Sequence, residues 1–355
     1  MLRLKTYKHW TDPAPVGCHP LADSPHALVT DLEPAATIAP PEVIGIDPHT
    51  ASILPVGRPC TLEPYVLAEL PGGRVFSHHG VIIDQSNHIV SDLVWEFNSY
   101  PLGNRVCHYE GLPEVREIDG SVLVLPSISA WKNYCHWIAD SLPRLRAIRD
   151  WIERADYIFT PLGRPYHQEW LDRLGIDPAK IIEAKPDTHL RAKSLVVPSP
   201  AEPAKPHPSA VAWLREQIPG WSDIEPTRKI YIGRGDAWRR RPRNENEFID
   251  YLADRGYESV TLSGMPSLDQ ARLFASSAEV IAPHGAALVN LVFSKPGTKA
   301  LELFPSDYIY PQYFRIAAVA GVRYAAHSSP CERKDPDLDF EFETMLPMVE
   351  TFLKA

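Results

Sequence analysis

His136 and Asp140 stand four residues apart, and Arg144 follows at the same interval. On a helix that spacing sets an imidazole, a carboxylate and a guanidinium on one face. A histidine or carboxylate so placed can take a proton from an attacking hydroxyl. The same pair can equally be a structural hydrogen bond that fixes the start of the helix. A second group points to anions. Between Arg228 and Arg243 seven basic side chains fall within sixteen positions, in a chain whose formal net charge is -9. Arg234 leaves the end of an apolar run, Gly233 and Gly235 let the chain turn, and Arg239, Arg240, Arg241 and Arg243 crowd the loop before the next helical pattern. Guanidinium groups match phosphate bidentately and keep their charge at any relevant pH. The alternative is a solvated basic loop, or one docked on acidic surface. The third group is Pro283-His284-Gly285, between the apolar run Val280 to Ala282 and the helix-like run Ala286 to Phe293. A glycine turn that opens a helix at the carboxyl end of a strand turns backbone N–H groups and the helix dipole toward an anion. Glu302, at the end of the next apolar run, suits a carboxylate that accepts hydrogen bonds from ribose hydroxyls. An ordinary strand–helix–strand unit would carry the same pattern.

The elements that must position these residues alternate. Ser121 to Leu125 reads as a strand and Asn133 to Arg154 as a long helix, with Pro143 marking a kink or a later start. Strands at 157–160, 180–183 and 194–197 and a helix at 166–174 continue the rhythm. After a proline-rich linker at 198–208 and a helix at 209–217, strands are expected at 229–232, 259–262, 280–282, 300–303 and 323–325. Helices at 244–254, 267–276, 286–293 and 309–320 alternate with them. Such alternation predicts parallel sheets covered by helices. Between Tyr65 and Phe97 short β-like runs broken by Pro71-Gly72-Gly73 and Ser86-Asn87 predict a small antiparallel meander. His78 and His79 lie inside it, on opposite faces of a strand, which argues against a shared metal. The fold class is therefore α/β. Its divisions are a loop-rich lead-in at 1–64, a first domain at 65–208, a second at 209–338 and an amphipathic helix at 339–355 that could pack on either half.

With 355 residues the chain has room for two domains. Its acidic balance argues against nucleic acid as a partner. Five scattered cysteines without a C-x-x-C pair indicate neither a disulfide framework nor a zinc site. No run approaches the ~18 apolar residues of a membrane span and no leader opens the chain, so a cytoplasmic location is expected. G-x-G-x-x-G and G-x-x-x-x-G-K-[ST] are both absent. Asp335-Pro-Asp337 and Asp337-Leu-Asp339 have the D-x-D form of a metal–diphosphate site, but their polar setting reads as a loop and helix cap.

Three segments together resemble glycosyltransferase family 61: Asn133-Tyr-Cys-His-Trp137 with Asp140 and Leu142-Pro-Arg144; Tyr231-Ile-Gly-Arg234 through Asn244-Glu245; and His284-Gly-Ala-Ala-Leu288 with Asn290 and Glu302. The family includes plant xylan xylosyl- and arabinosyltransferases, O-linked N-acetylglucosamine transferases of the secretory pathway and many bacterial enzymes. The resemblance covers roughly 65–303 and implies a GT-B-like fold of two facing Rossmann-like domains, here with the antiparallel meander added to the first. It implies an inverting transferase that uses a UDP-sugar donor, without a metal or other cofactor. By position, Gly233, Arg234, Arg239, Arg240, Arg241, Arg243, Asn244 and Glu245 match the donor-diphosphate motif, where many relatives carry serine at Gly233. His284, Gly285, Ala286, Ala287 and Leu288, with Asn290 and Glu302, match the glycine-turn helix. His136 and Asp140 match the motif of the first domain, with Asn133, Tyr134, Trp137 and Arg144 on the acceptor side.

The expected activity is transfer of a hexosyl or pentosyl group from a UDP-sugar to a hydroxyl of a glycan or glycolipid, in bacterial surface polysaccharide synthesis. An acceptor of that kind allows peripheral association with a membrane. Asp140 is favoured over His136 as the base. The alternatives are a nucleotide-sugar epimerase or hydrolase on the same fold, which needs no acceptor, and a non-catalytic nucleotide- or glycan-binding module.

Overall fold

The computed structural model describes residues 10–95, 102–199, 205–235, 237, 242, 244–330 and 342–355. The chain forms two compact units, one of residues 1–36 and 63–203, the other of residues 37–62 and 204–355. Within the stretch 10–64 the division falls at 36/37 and again at 62/63. Part of that stretch belongs to each unit.

In the first unit Arg116–Val124, Tyr157–Thr160 and Ile181–Glu183 lie parallel, and His189–Pro198 pairs parallel with Arg116–Val124. The other edge of His189–Pro198 pairs antiparallel with Arg74–Phe76 and Tyr65–Pro71. That ten-residue strand therefore joins the parallel half to the meander expected at 65–97, making one ten-stranded sheet. Leu28–Glu33 adds to its Tyr65–Pro71 strand. Leu28 to Asp31 are exposed, so this edge strand shows no apolar alternation by which the sequence could announce it.

The second unit holds a six-stranded sheet, all parallel. Its strands are β1 (Val43–Ile46), β2 (Arg228–Ile232), β3 (Glu258–Val260), β4 (Ser277–Pro283), β5 (Lys299–Pro305) and β6 (Arg323–Ser329), in spatial order β3-β2-β4-β5-β6-β1. Parallel strands need crossovers, and helices 245–253, 267–275, 286–293 and 312–320 supply them. Phe248 and Leu252 of one helix and Met345, Val349 and Phe352 of the last helix pack with Tyr231, Ile281, Leu301 and Ala325. The carboxyl-terminal helix thus belongs to this unit. Val280 and Ala300, of opposite parity on their strands, are also buried, so both faces of the sheet are covered. From β2 the chain runs to β3 on one side and then returns to β4 on the other. The gap between the carboxyl ends of β2 and β4 is therefore the topological switch point, where open parallel sheets bind ligands.

Two helices differ from expectation. The long helix at 133–154 is a short α turn at Tyr134–His136, a π turn at Trp137–Ser141, a 3-10 turn at Leu142–Leu145 and a separate helix at Arg149–Arg154. Pro143 offers no N–H to a continuous ladder, and the backbone changes its hydrogen-bond spacing around it. The helix at 286–293 is 3-10 rather than α.

Candidate functional site

In the second unit the two glycine-bearing segments meet at the switch point. Arg234 lies directly after β2 and His284-Gly285 directly after β4. The guanidinium of Arg234 rests on the α-carbon of Gly285: a Cβ added there would fall 1.9 Å from Nη1 and 3.0 Å from Cζ. Gly285 has φ -178° and ψ 169°, extended backbone open to any residue. What the missing Cβ leaves room for here is the arginine's close approach, and no turn calls for glycine. The first N–H groups of helix 286–293 have no partner within the helix, and Ala286 and Ala287 are half-buried. A half-buried guanidinium and a set of helix-opening amides therefore share one rim.

Glu245 anchors this arrangement. It opens helix 245–253, is buried, and its Oε1 accepts from the Tyr231 hydroxyl and from the Arg234 backbone N–H, both at 2.8 Å. Burial, with the Glu245 carboxylate next to it, drives the Tyr231 phenol well above its ordinary pKa. Glu245 thus ties the loop that carries Arg234 to the next helix instead of facing the rim. Asn244 precedes that helix without a side-chain cap. Arg239, Arg240, Arg241 and Arg243, and the D-x-D pairs at 335–339, lie outside the described residues.

Glu302 differs most from the reading of it as a ribose ligand. It is fully buried. One carboxylate oxygen meets His284 Nδ1 at 2.5 Å, and the other accepts from the Tyr324 hydroxyl. Strand register explains the placement: Glu302 pairs with Ala282 and Ala326 in mid-sheet, and its side chain runs under the rim. What it does is hold His284, whose ring is stacked on Phe304 and edged by Tyr308 and Tyr313. Leu288 and Asn290 are interior too, and the Asn290 amide donates to Ala287 O at 3.0 Å.

In the first unit the loop after Arg116–Val124 leads to Asn133, whose side chain accepts from Cys135 N–H and caps the short helix. His136 Nδ1 lies 2.6 Å from Asp140 Oδ2. The π turn preserves the contact that an α-helix predicts. Asp140 is 2% exposed, whereas the His136 side chain keeps 14% of its surface open. An ionised carboxylate only accepts, so Nδ1 is the donor in this contact. Of the pair, His136 is the more accessible side chain and Asp140 the enclosed one.

Trp137 is fully buried against His167, and Tyr134 lies edge-on to Tyr166. Trp137 therefore belongs to the core and does not face an acceptor. Arg144 is also buried. It donates to Pro126 O at 3.0 Å, and its Nε finds no partner among the described residues. Burial pulls its pKa down to about 10. It lines a pocket with His79, Gly80, Pro126, Ser127 and Asp140, together with Leu93, Val94 and Trp95. Burial, with Arg105 adding repulsion, lowers His79 to about 3, so the ring is neutral. The spacing of the sequence carries no signal linking His79 to a helix more than fifty residues later.

Among the described residues no group of three or more His, Cys, Asp or Glu is arranged to hold a metal ion, and no helix is long and apolar enough to cross a membrane. A family model described as Glycosyltransferase 61 matches residues 134–301. The matched stretch starts beside His136 and runs past Arg234 and Gly285. No curated protein matches the chain.

Proposed function

We propose that the chain, whose residues 134–301 match the family model described as Glycosyltransferase 61, is a glycosyltransferase of that family and moves a sugar, with inversion, from a UDP-sugar to a hydroxyl of a glycan or glycolipid. The observation that carries the reading is the guanidinium of Arg234 laid over Gly285 at the switch point of the parallel sheet. Charge builds on the departing diphosphate as the glycosidic bond breaks. Donors already aimed at that charge lower the barrier, each by about 2.7–4 kcal/mol in comparable oxyanion sites. Arg234 and the amides that open helix 286–293 are such donors in this proposal, with the arginines at 239–243 as further candidates.

The acceptor hydroxyl loses its proton to His136 Nε2, its oxygen bonds to the anomeric carbon, and the nucleoside diphosphate leaves with the electron pair of the broken bond. Asp140 holds the imidazole in the required tautomer and stabilises the imidazolium that forms. Arg144, His79 and Ser127 would then face the acceptor. Metal independence, a GT-B arrangement, a cytoplasmic location and a role in surface polysaccharide synthesis complete the proposal and rest on the family and on composition.

The test is a panel of nucleotide-sugars with glycan and lipid-linked acceptors in the presence of EDTA, followed by release of the nucleotide and the anomeric configuration of the product. Acceptor-dependent release with an inverted product is expected. Release without acceptor, or an epimerised donor, would overturn it in favour of a hydrolase or epimerase.

A further inference from the structure

We propose that Tyr310, backed by Tyr308, is the surface on which the base of the nucleotide donor stacks. The inference rests on the reading of the second unit's rim as a nucleoside-diphosphate site, and goes beyond it by assigning a place to the base. After β5 the chain turns, with Tyr308 N–H donating to Pro305 O at 3.0 Å. The turn lays the Tyr308 ring 5.5 Å from His284, at 61°. The Tyr310 ring lies 4.6 Å from Tyr308, at 46°. Tyr310 is 49% exposed, and it is the one aromatic among the large apolar side chains that stand exposed in the described residues.

These contacts form a continuous path along the rim. Arg234 touches Gly285, its neighbour His284 touches Tyr308, and Tyr308 touches Tyr310. The path crosses the ends of three adjacent strands, β2, β4 and β5. Neighbouring strands lie about 4.8 Å apart, so the β5 end is roughly 5 Å from the strand that leads to Gly285 and 10 Å from the strand that leads to Arg234. A ribose fills such an interval between a diphosphate at one end and a base at the other. His284 is fixed by Glu302 and Phe304, and that fixes the position of Tyr308 in turn. An aromatic ring held by such a support offers a π-face to any base at little cost in side-chain freedom.

The experiment is calorimetric titration of the whole chain with inorganic pyrophosphate and with whichever of UDP, GDP and CDP binds the wild type most tightly. The variants are Tyr310→Ala, Tyr310→Phe and Arg234→Ala. Tyr310→Ala is expected to weaken the nucleotide about tenfold or more and leave pyrophosphate unchanged, and Tyr310→Phe to bind as the wild type does. Arg234→Ala should weaken both ligands. Wild-type nucleotide affinity in Tyr310→Ala, or an equal loss of nucleotide and pyrophosphate, overturns the stacking assignment. If Arg234→Ala still loses both ligands, the diphosphate reading stands without it. A wild type that binds no nucleotide at all removes both.

Discussion

The Oδ2 of Asp140 lies 2.6 Å from Nδ1 of His136, and of the two side chains only the histidine reaches the surface to any extent. A carboxylate so enclosed orients its partner, and its remaining edge lines the pocket it shares with Ser127 and Arg144. His136→Ala is expected to cut turnover by roughly 10²–10⁴-fold, the usual contribution of a positioned base. Asp140→Asn should lower turnover as well, because the asparagine can present an N–H to Nδ1 and invert the tautomer. Neither change should alter nucleotide affinity. Steady-state kinetics beside calorimetry separates the two effects, and undiminished turnover in His136→Ala rules out this base.

Gly285→Ala tests the rim in the second unit. The added methyl group would meet the end of the Arg234 side chain, and a flexible guanidinium can swing away without unfolding the sheet. The expected result is a folded protein whose affinity for the nucleotide falls about as far as in Arg234→Ala. A charge-assisted hydrogen bond contributes roughly 1.5–3 kcal/mol. Because both variants remove one contact, the double variant should bind little worse than either single one. Additive losses would show that the glycine and the arginine act separately.

Glu302 distinguishes support from ligand contact. It is buried, with one oxygen on His284 and the other on Tyr324. Removing one member of a buried charged network costs roughly 3–5 kcal/mol, so Glu302→Ala should lower the urea midpoint markedly. Tyr324→Phe should lower it by a smaller amount. A ribose ligand would behave otherwise, with full stability and weaker nucleotide binding.

Stability should fall as the solution turns acidic. Burial is the chief cause that holds His78 and His167 down to about 4 and His79 to about 3, against 6.5 for the exposed side chain. Between pH 6.5 and about pH 4 the unfolded chain binds protons that the folded chain refuses, so stability rises with pH across that window and is fully present above it. Urea denaturation at pH 7 and pH 5 should give a lower midpoint at pH 5. Replacing His79 with phenylalanine should flatten the slope. A midpoint independent of pH in this range would contradict the burial of the three rings.

The fold class, the parallel strands of the second unit and the meander were legible in the sequence, because each buries a regular apolar face and so leaves a period in the order of its residues. The pairing of His136 with Asp140 was legible for a related reason: four residues along a turn is a local distance, kept even where the turn became π. Other features depend on which distant segments meet. The edge strand Leu28–Glu33 completes its sheet without any periodic signal, and a strand near Val43 is legible as an apolar run while the sheet that Val43–Ile46 joins is not. Glu302 stands at the predicted strand end, yet strand register sends its side chain inward to His284 and Tyr324. The contact of Arg234 with Gly285 joins residues more than fifty positions apart through the strand order at the switch point. Composition and local spacing thus specified the chemical groups and the elements that carry them. Only tertiary packing decided which groups face the surface and which support them from beneath, because burial and register are set by contacts that no local period encodes.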